Sequence, residues 1–414
     1  MKKMKKVLLF ALLMCAVLMV GCQSMAPRQD TASTNFAREA LAPFVESGEL
    51  PGAINVFYNN GVEEICCIGY ADVAAKRPIT MDDVFMQCSQ TKGFCGVTIA
   101  ILVEEGKLSL DDPVSKYLPE FKTLWVLESE KDGVRTLRKA QNTLTVRMVM
   151  NHTGGFAFEL PAKQPNIKGG GWSGGLKLRS VAAEAAALPI KFESGTKDAY
   201  SNTGIDIGAA IVEVITEMPW EQFLEERVFK PLGMTRSSFK PTAEQLKTQI
   251  EMYECVEKAP ARYKLQSNWE QRPYNGDHVH ASAGAGLWTT ASDQLKFYKM
   301  LMNLGVGENG VRILKEETVK SILAVTTRPQ NLGGYSLGLT APKVDDENGW
   351  FGHGGAFGTN CMVNYHKKQL KLWVVQLEGK PRPWDAKRNA AADAFFKATL
   401  DTKAESEYTG RVKE

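Results

Sequence analysis

The chain lacks the features that would take it to nucleic acid, to a metal ion or, past its first residues, into a bilayer as a helix. It has 50 Lys and Arg against 47 Asp and Glu. No Lys/Arg cluster stands beyond the N-terminus, so the electrostatic footprint for nucleic acid is missing. Lys2, Lys3, Lys5 and Lys6 open the chain, and without residues 1–21 the formal net charge goes from +3 to −1, four lysines fewer. After residue 21 no apolar run is long enough for a spanning helix. The eight cysteines show no zinc-type spacing. His278-x-His280 offers a pair at ligand spacing, but no Cys, Asp or Glu pattern completes a site around it, so no metal is expected. No internal repeat is present.

What the N-terminus does have is a four-lysine n-region followed by the apolar run Val7 to Val20. That run has h-region length and is short for a bilayer span. It ends in Met19-Val20-Gly21-Cys22, which resembles a bacterial lipoprotein signal. The resemblance implies that residues 1–21 are removed, that Cys22 carries lipid, and that residues 22–34 tether the protein to a membrane of the cell envelope. Gln23 points to an outer membrane where the host has one. A secretory signal cleaved nearby is the plainer alternative, and both readings export the protein. Cys15 leaves with the signal. Cys66, Cys67, Cys88, Cys95, Cys255 and Cys361 read as buried free thiols.

The roughly 390 residues that follow are many for one core and fit one catalytic unit of two packed lobes. Residues 35–47 predict an amphipathic helix. Ala53–Tyr58 and Glu63–Tyr70 predict strands joined at Asn59-Asn60-Gly61, a hairpin signal. Thr80-Met81-Asp82-Asp83 reads as a helix cap ahead of an apolar helix over about 89–105. Residues 106–280 read as mostly helix and loop, with helices at Thr203–Thr216 and Trp220–Val228 and a loop at Gly169–Gly175. Strand signals return at Gly349–His353, Asn360–Tyr365 and Leu370–Leu377, and a helix over 386–400 closes the domain. The expected fold class is therefore α+β. An antiparallel sheet is built from both termini (about 35–88 and 281–400), a mainly helical lobe (about 89–280) is inserted, and 401–414 form a polar tail.

Three short motifs stand in order: Ser89-Gln90-Thr91-Lys92, Tyr200-Ser201-Asn202 and His353-Gly354-Gly355. They supply a nucleophile, two groups to manage its proton, and a glycine-rich strand for a substrate to lie against. At a helix start residues i and i+3 share a face, so Ser89 and Lys92 are neighbours. The helix N-terminus favours negative charge developing at Ser89, and burial lets a lysine act as a base. Phe94, Val97, Ile99, Ala100, Ile101, Leu102 and Val103 make that helix a buried one, where a lysine is costly unless it has a partner or a task. An isolated Ser-x-x-Lys is more often a surface lysine on a first helical turn. Ser194–Lys197 and Ser237–Lys240 match it too, but the first reads as a turn and the second meets Pro241. Gly171-Trp172-Ser173-Gly174-Gly175 fits the nucleophile-elbow pattern of another fold. The proline-bearing stretch 161–166 before it cannot be the central strand an elbow needs.

The residues around these motifs resemble the serine β-lactamase and penicillin-binding-protein superfamily, in the branch around class C β-lactamases. That branch also holds D-alanyl-D-alanine carboxypeptidases, D-aminopeptidases and β-lactamase-fold esterases. The likeness runs over about residues 35–400. It is carried by Phe85–Lys92, Gly106–Val114, Leu144–Arg147 with Asn151-His152-Thr153-Gly154-Gly155, Gly195–Gly204, Gly284–Asp293 and Gly352–Gly358. It implies an acyl-enzyme on Ser89, with Lys92 and Tyr200 sharing the proton transfers in a division left open. Asn202 would bond the substrate or Lys92. The N–H groups of Ser89 and Ala356 would form an oxyanion hole, with Gly354 and Gly355 beside it. His353 stands where many members carry lysine, and His152 reads as a loop-holding residue. No cofactor is implied.

The expected partners are a small-molecule or peptide substrate, peptidoglycan-derived peptides and β-lactams being within reach of an exported enzyme, and a lipid anchor. Histidine is mostly neutral at pH 7, so His353 is expected to donate a hydrogen bond to the substrate or to Tyr200 while attracting carboxylates weakly. That favours neutral esters or amides over β-lactams. The alternatives are a catalytically silent lipoprotein that binds in the cleft, and an elbow-type α/β-hydrolase using Ser173.

Overall fold

The computed structural model describes residues 35–160, 177–255, 263–265, 281–380 and 382–411. Helix α1 (Phe36–Glu46) starts at Asn35, whose side chain accepts from the Arg38 N–H at 2.8 Å. Strands β1 (Gly52–Asn59) and β2 (Val62–Asp72) follow, joined by Asn60 and Gly61, both at positive φ. That is what a two-residue hairpin turn matching the strand twist requires. A short β3 (Arg77–Pro78) completes this edge. The Thr80–Asp83 segment is a turn rather than a helix cap. Arg77 draws the Asp83 carboxylate in at 2.6 Å, and that carboxylate also accepts from the Thr80 N–H.

Helix α2 (Thr91–Glu104) follows a tight turn at Cys88–Gln90, and all its residues through Leu102 are buried. Phe94 stacks on Phe297 at 3.6 Å between ring centroids, and the Trp220 indole N–H donates to Thr98. Each apolar side chain buried this way contributes about 1.5–3 kcal/mol.

Strands β4 (Trp125–Lys131) and β5 (Val134–Lys139) form a hairpin inside the inserted lobe, where helix and loop were expected. Its strands are mostly exposed and interleave charged with apolar residues, so apolar periodicity does not mark them. The Asp132-Gly133 turn, with both residues at positive φ, is the signal that does. Ion pairs of Arg135 with Glu130 and of Arg138 with Glu193 pin it.

Helix α3 (Asn202–Thr216) is capped by Ser201 and stopped by Glu217 at φ 56°. The helix at Trp220–Leu224 runs on as a wide turn through Phe229. Helix α4 (Ala291–Met302) is capped by Thr290. Strands β6 (Phe351–Gly354), β7 (Asn360–Asn364) and β8 (Gln369–Val374) return to the sheet. Helix α5 (Trp384–Arg411) closes the domain and continues past residue 400.

The six-stranded sheet has the order β6-β7-β8-β1-β2-β3, and every pairing in it is antiparallel. Both ends of the chain build it, as expected, and the mainly helical segment is inserted between. The elbow-type alternative is ruled out here, because an α/β-hydrolase needs a parallel sheet. Ala53 and Phe57 of β1 pack under α1 and α5, while Ile54 and Val56 face the main core. That core is continuous across both lobes and holds Phe94 and Ile205 together with Phe297 and Leu372. The six described cysteines are all free thiols, four of them buried.

Candidate active site

Ser89 sits half-buried in the turn that leads into α2. Lys92 lies one helical turn on, fully buried. Its Nζ is 3.2 Å from the Ser89 Oγ, 2.5 Å from the Asn202 Oδ1 and 2.6 Å from the Gly284 carbonyl oxygen. The Tyr200 ring lies 4.5 Å from the same Nζ, and the Ser89 side chain acts on the Tyr200 phenol. Ser89, Lys92, Tyr200 and Asn202, named from the sequence, thus form one contact set.

The elements explain the convergence. α3 begins at Asn202, two residues after Tyr200, and packs on α2. The Gly284 loop must come close to both. A Cβ on Gly284 would lie 2.7 Å from the Asn202 Cβ, so only glycine fits the approach. The Gly284 N–H donates to the Asp206 carboxylate at 3.1 Å, one turn along α3 from Asn202. The third motif is equally close. A Cβ on Gly355 would lie 2.3 Å from the Gln87 carbonyl oxygen. The Thr359 hydroxyl donates to that same oxygen at 3.1 Å. The end of β6 and the Ala356–Gly358 turn are therefore stitched to the backbone two residues before the serine.

Burial lowers Lys92 from its ordinary value of 10.5 to about 7, against the pull of Asp206, Cys88 and Glu159. Half of the lysine is then neutral near pH 7. Burial raises the Tyr200 phenol above its ordinary value, although Ser89 works the other way. Tyr200 therefore holds its proton at neutral pH.

His353 differs from the expectation. Its Nε2 is 2.9 Å from the Tyr335 hydroxyl, and its Nδ1 lies against the Gly354 carbonyl oxygen. Burial, then the Lys92 charge, lower it to about 3, so the ring is neutral. Burial also raises Tyr335 well above its ordinary value, so Tyr335 is the donor to Nε2. Nδ1 then carries the ring proton and gives it to Gly354. Both nitrogens are engaged within the protein, and the donor read from the sequence points at neither substrate nor Tyr200.

His152 holds its loop as read. Its carbonyl oxygen accepts from the Ala199 N–H at 2.9 Å, and its Nδ1 accepts from the Ser201 N–H at 3.2 Å. Its ring lies 4.5 Å from the rings of Tyr200 and Tyr335. Tyr200 is thus gripped on both sides and along its face.

Four residues of this cluster were not read from the sequence: Gly284 as an acceptor for Lys92, Asp206 behind it, Tyr335, and Glu159, whose Oε1 accepts from the Asn202 Nδ2 at 3.1 Å. Asp206 had a signal, being the one charged residue in the buried stretch Asn202–Val212 of its helix. Cys88 packs in an apolar cluster with Val84, Met86, Met252, Trp288 and Phe357. Ser194 is buried and donates to Gly154 while Lys197 is exposed, and Ser237 bonds Asp293, so neither competing Ser-x-x-Lys assembles a site. Ser173, Cys22, His278 and His280 lie outside the described residues. Among the described residues no His, Cys, Asp and Glu cluster could hold a metal ion.

A serine and a tyrosine gathered around a buried lysine at the edge of an antiparallel sheet define a class of serine hydrolases, and comparison places the chain within it. A family model described as Beta-lactamase matches residues 37–395, and the chain belongs to the beta-lactamase family. Protein Rv1367c of Mycobacterium tuberculosis is 30% identical over 354 residues, covering 80% of this chain and 87% of that protein. Among solved structures the chain is similar to EstCE1, a hydrolase with promiscuous acyltransferase activity (19% identity, 86% and 97% coverage, TM-score 0.64). It is also similar to a D-stereospecific amidohydrolase from Streptomyces sp. (23% identity, 88% and 98% coverage, TM-score 0.60).

Proposed function

We propose that the protein is an exported serine hydrolase that cleaves an amide or ester through an acyl-enzyme on Ser89. The observation that carries this is Lys92. It is a fully buried amine 3.2 Å from a serine hydroxyl, brought down to about 7. In the first step the Ser89 oxygen bonds the substrate carbonyl carbon and its proton passes to neutral Lys92. The bond to the leaving group then breaks, and Tyr200, protonated at neutral pH, supplies the proton that group takes. Tyr200 recovers a proton from the Lys92 ammonium, which returns both groups to their starting states. Water attacks the ester in the second step, and the sum is one acid and one alcohol or amine per water consumed. The stitching of Gly354, Gly355 and Ala356 to the nucleophile turn supports an oxyanion hole from the Ser89 and Ala356 N–H groups, worth about a hundredfold or more per donor.

Neutral esters and amides suit the cleft better than β-lactams, whose carboxylate meets a neutral, fully engaged His353 instead of a lysine. The names of EstCE1 and the Streptomyces amidohydrolase fit that substrate range. Cys22 would anchor the mature chain to a cell-envelope membrane. The test is a panel of purified wild type on p-nitrophenyl esters, D-amino-acid amides, D-Ala-D-Ala peptides and nitrocefin. Esters or amides should turn over fastest. Nitrocefin turnover well above that of simple esters would refute the substrate reading.

A further inference from the structure

The turn that carries Ser89 is strained, and part of what holds it comes from a distant helix. Cys88, directly before the serine, has φ 53°. That left-handed backbone is unfavourable for a residue with a Cβ, and it persists only where the surroundings over-determine it. Some of the hold is local. The Gln87 N–H donates to the Leu287 carbonyl oxygen at 3.1 Å, and the Thr91 hydroxyl donates to the Cys88 carbonyl oxygen at 2.6 Å.

The rest is one side chain of α4. The Gln294 Nε2 donates to the Gln87 Oε1 at 3.2 Å and to the Gln90 Oε1 at 2.7 Å. A primary amide has two N–H bonds to give, and here they span the turn, with Cys88 and Ser89 between the two residues they hold. α4 is itself fixed. Its Phe297 stacks on Phe94 of α2, and the helix packs on β7 and β8. The bridge therefore ties the serine turn to the sheet.

Stability does not account for these amides. Gln87, Gln90 and Gln294 are fully buried, and so is Tyr298, one turn along α4, whose phenol Gln90 also acts on. Among the described residues the Gln87 Nε2 and the Gln294 Oε1 meet no hydrogen-bond partner. A buried polar network that is only partly satisfied is less stable than apolar side chains of the same shape. The cluster weakens the core in which it sits while it holds the turn.

Resting on the serine-hydrolase reading above, we propose that Gln294 is a positioning residue for the nucleophile: its amide clamps Gln87 to Gln90, keeps Cys88 left-handed and so holds the Ser89 hydroxyl against Lys92. Gln294 acts through the turn and not on the substrate. Without the clamp Cys88 relaxes toward negative φ and draws the serine hydroxyl away from its 3.2 Å contact with the Lys92 Nζ.

The test replaces the whole cluster by apolar side chains of similar size: Gln87→Met, Gln90→Met, Gln294→Met and Tyr298→Phe together, so that no member of a pair is left behind without its partner. The melting temperature should stay at or above that of the wild type. The rate of fluorophosphonate labelling and kcat on a p-nitrophenyl ester should both fall about tenfold or more, since a displacement of about 1 Å costs about a hundredfold. KM should change little, and the rise of the rate with pH should keep its apparent pKa of about 7, because Lys92 stays where it is. Adding Cys88→Gly, which accepts a positive φ without strain, should recover much of the lost rate. A smaller rate loss, a melting temperature well below wild type with a rate that only follows the unfolded fraction, or no recovery with Cys88→Gly would overturn the proposal. Labelling of Ser89 and ester turnover by the wild type report on the hydrolase reading separately, so the two fail in distinguishable ways.

Discussion

Gly284→Ala should disable the site while leaving the fold in place. The added Cβ would stand 2.7, 2.8 and 2.9 Å from the Cβ, Oδ1 and Cγ of Asn202. Carbon atoms in contact prefer about 3.5–4.0 Å, so a gap of about 1 Å has to open. Neither side gives way freely. Asn202 is held by its N–H to the Phe158 carbonyl oxygen at 2.8 Å, and Gly284 is held by Asp206 on one side and Lys92 on the other. The relief available is rotation of the Asn202 side chain, which takes Oδ1 away from Lys92. Overpacking of this kind costs about 1–3 kcal/mol of stability, within the roughly 5–15 kcal/mol that keeps a domain folded. A displacement of about 1 Å in a catalytic group costs about a hundredfold in rate. The assay is kcat/KM on a p-nitrophenyl ester, with the rate of fluorophosphonate labelling and a thermal melt on the same sample. The expected result is a folded protein with a small drop in melting temperature and a rate loss near a hundredfold in both reactions. Activity within threefold of wild type would refute the reasoning, as would a loss no larger than the unfolded fraction explains.

Other outcomes follow from the same geometry. Because Lys92 must be neutral to take the serine proton, kcat/KM should rise with pH through an apparent pKa of about 7. Asp206→Asn removes a carboxylate that raises Lys92, so the rise should move to lower pH, and an unmoved or upward-shifted limb would contradict the role given to Asp206. With His353 brought down to about 3, the same profile should show no histidine limb, and His353→Gln should leave its shape unchanged. His152→Ala removes the Nδ1 that holds the Ser201 N–H and the ring that lies against Tyr200, so kcat should fall about tenfold or more with little change in KM. Combined with Tyr200→Phe the loss should be less than the product of the two, and full additivity would argue against positioning. Cys22→Ser should move the protein from the membrane fraction to the soluble fraction or block its processing. Mass spectrometry of an unmodified N-terminus beyond residue 22 would refute the anchor.

The parts of this molecule that were legible in sequence are those decided locally. The Asn60-Gly61 turn, the apolar run of α2, the helix of α3 and the glycines of the third motif each carry their reason within a few residues. The α2 lysine stood out because the residues around it left it no solvent. What was not legible depends on distant partners. Gly284 lies 192 residues from Lys92 in the chain, so no spacing announces that its carbonyl oxygen accepts from the ammonium, and Asn202, 110 residues away, was joined to Lys92 by the family resemblance alone. His353 was misjudged because its partner Tyr335 comes from a loop whose path the sequence does not disclose. The β4–β5 hairpin escaped because its mostly exposed strands carry no clear apolar periodicity. Thr80–Asp83 looked like a cap because the pattern does not reveal that Arg77 holds Asp83.

The central claim is that Ser89, activated by Lys92, is the residue that becomes acylated. Peptide mapping of the protein after reaction with a fluorophosphonate or a labelled penicillin tests it most directly. The adduct should sit on Ser89, vanish in Ser89→Ala and persist in Ser173→Ala. An adduct on Ser173, or labelling that survives Ser89→Ala, would contradict the account.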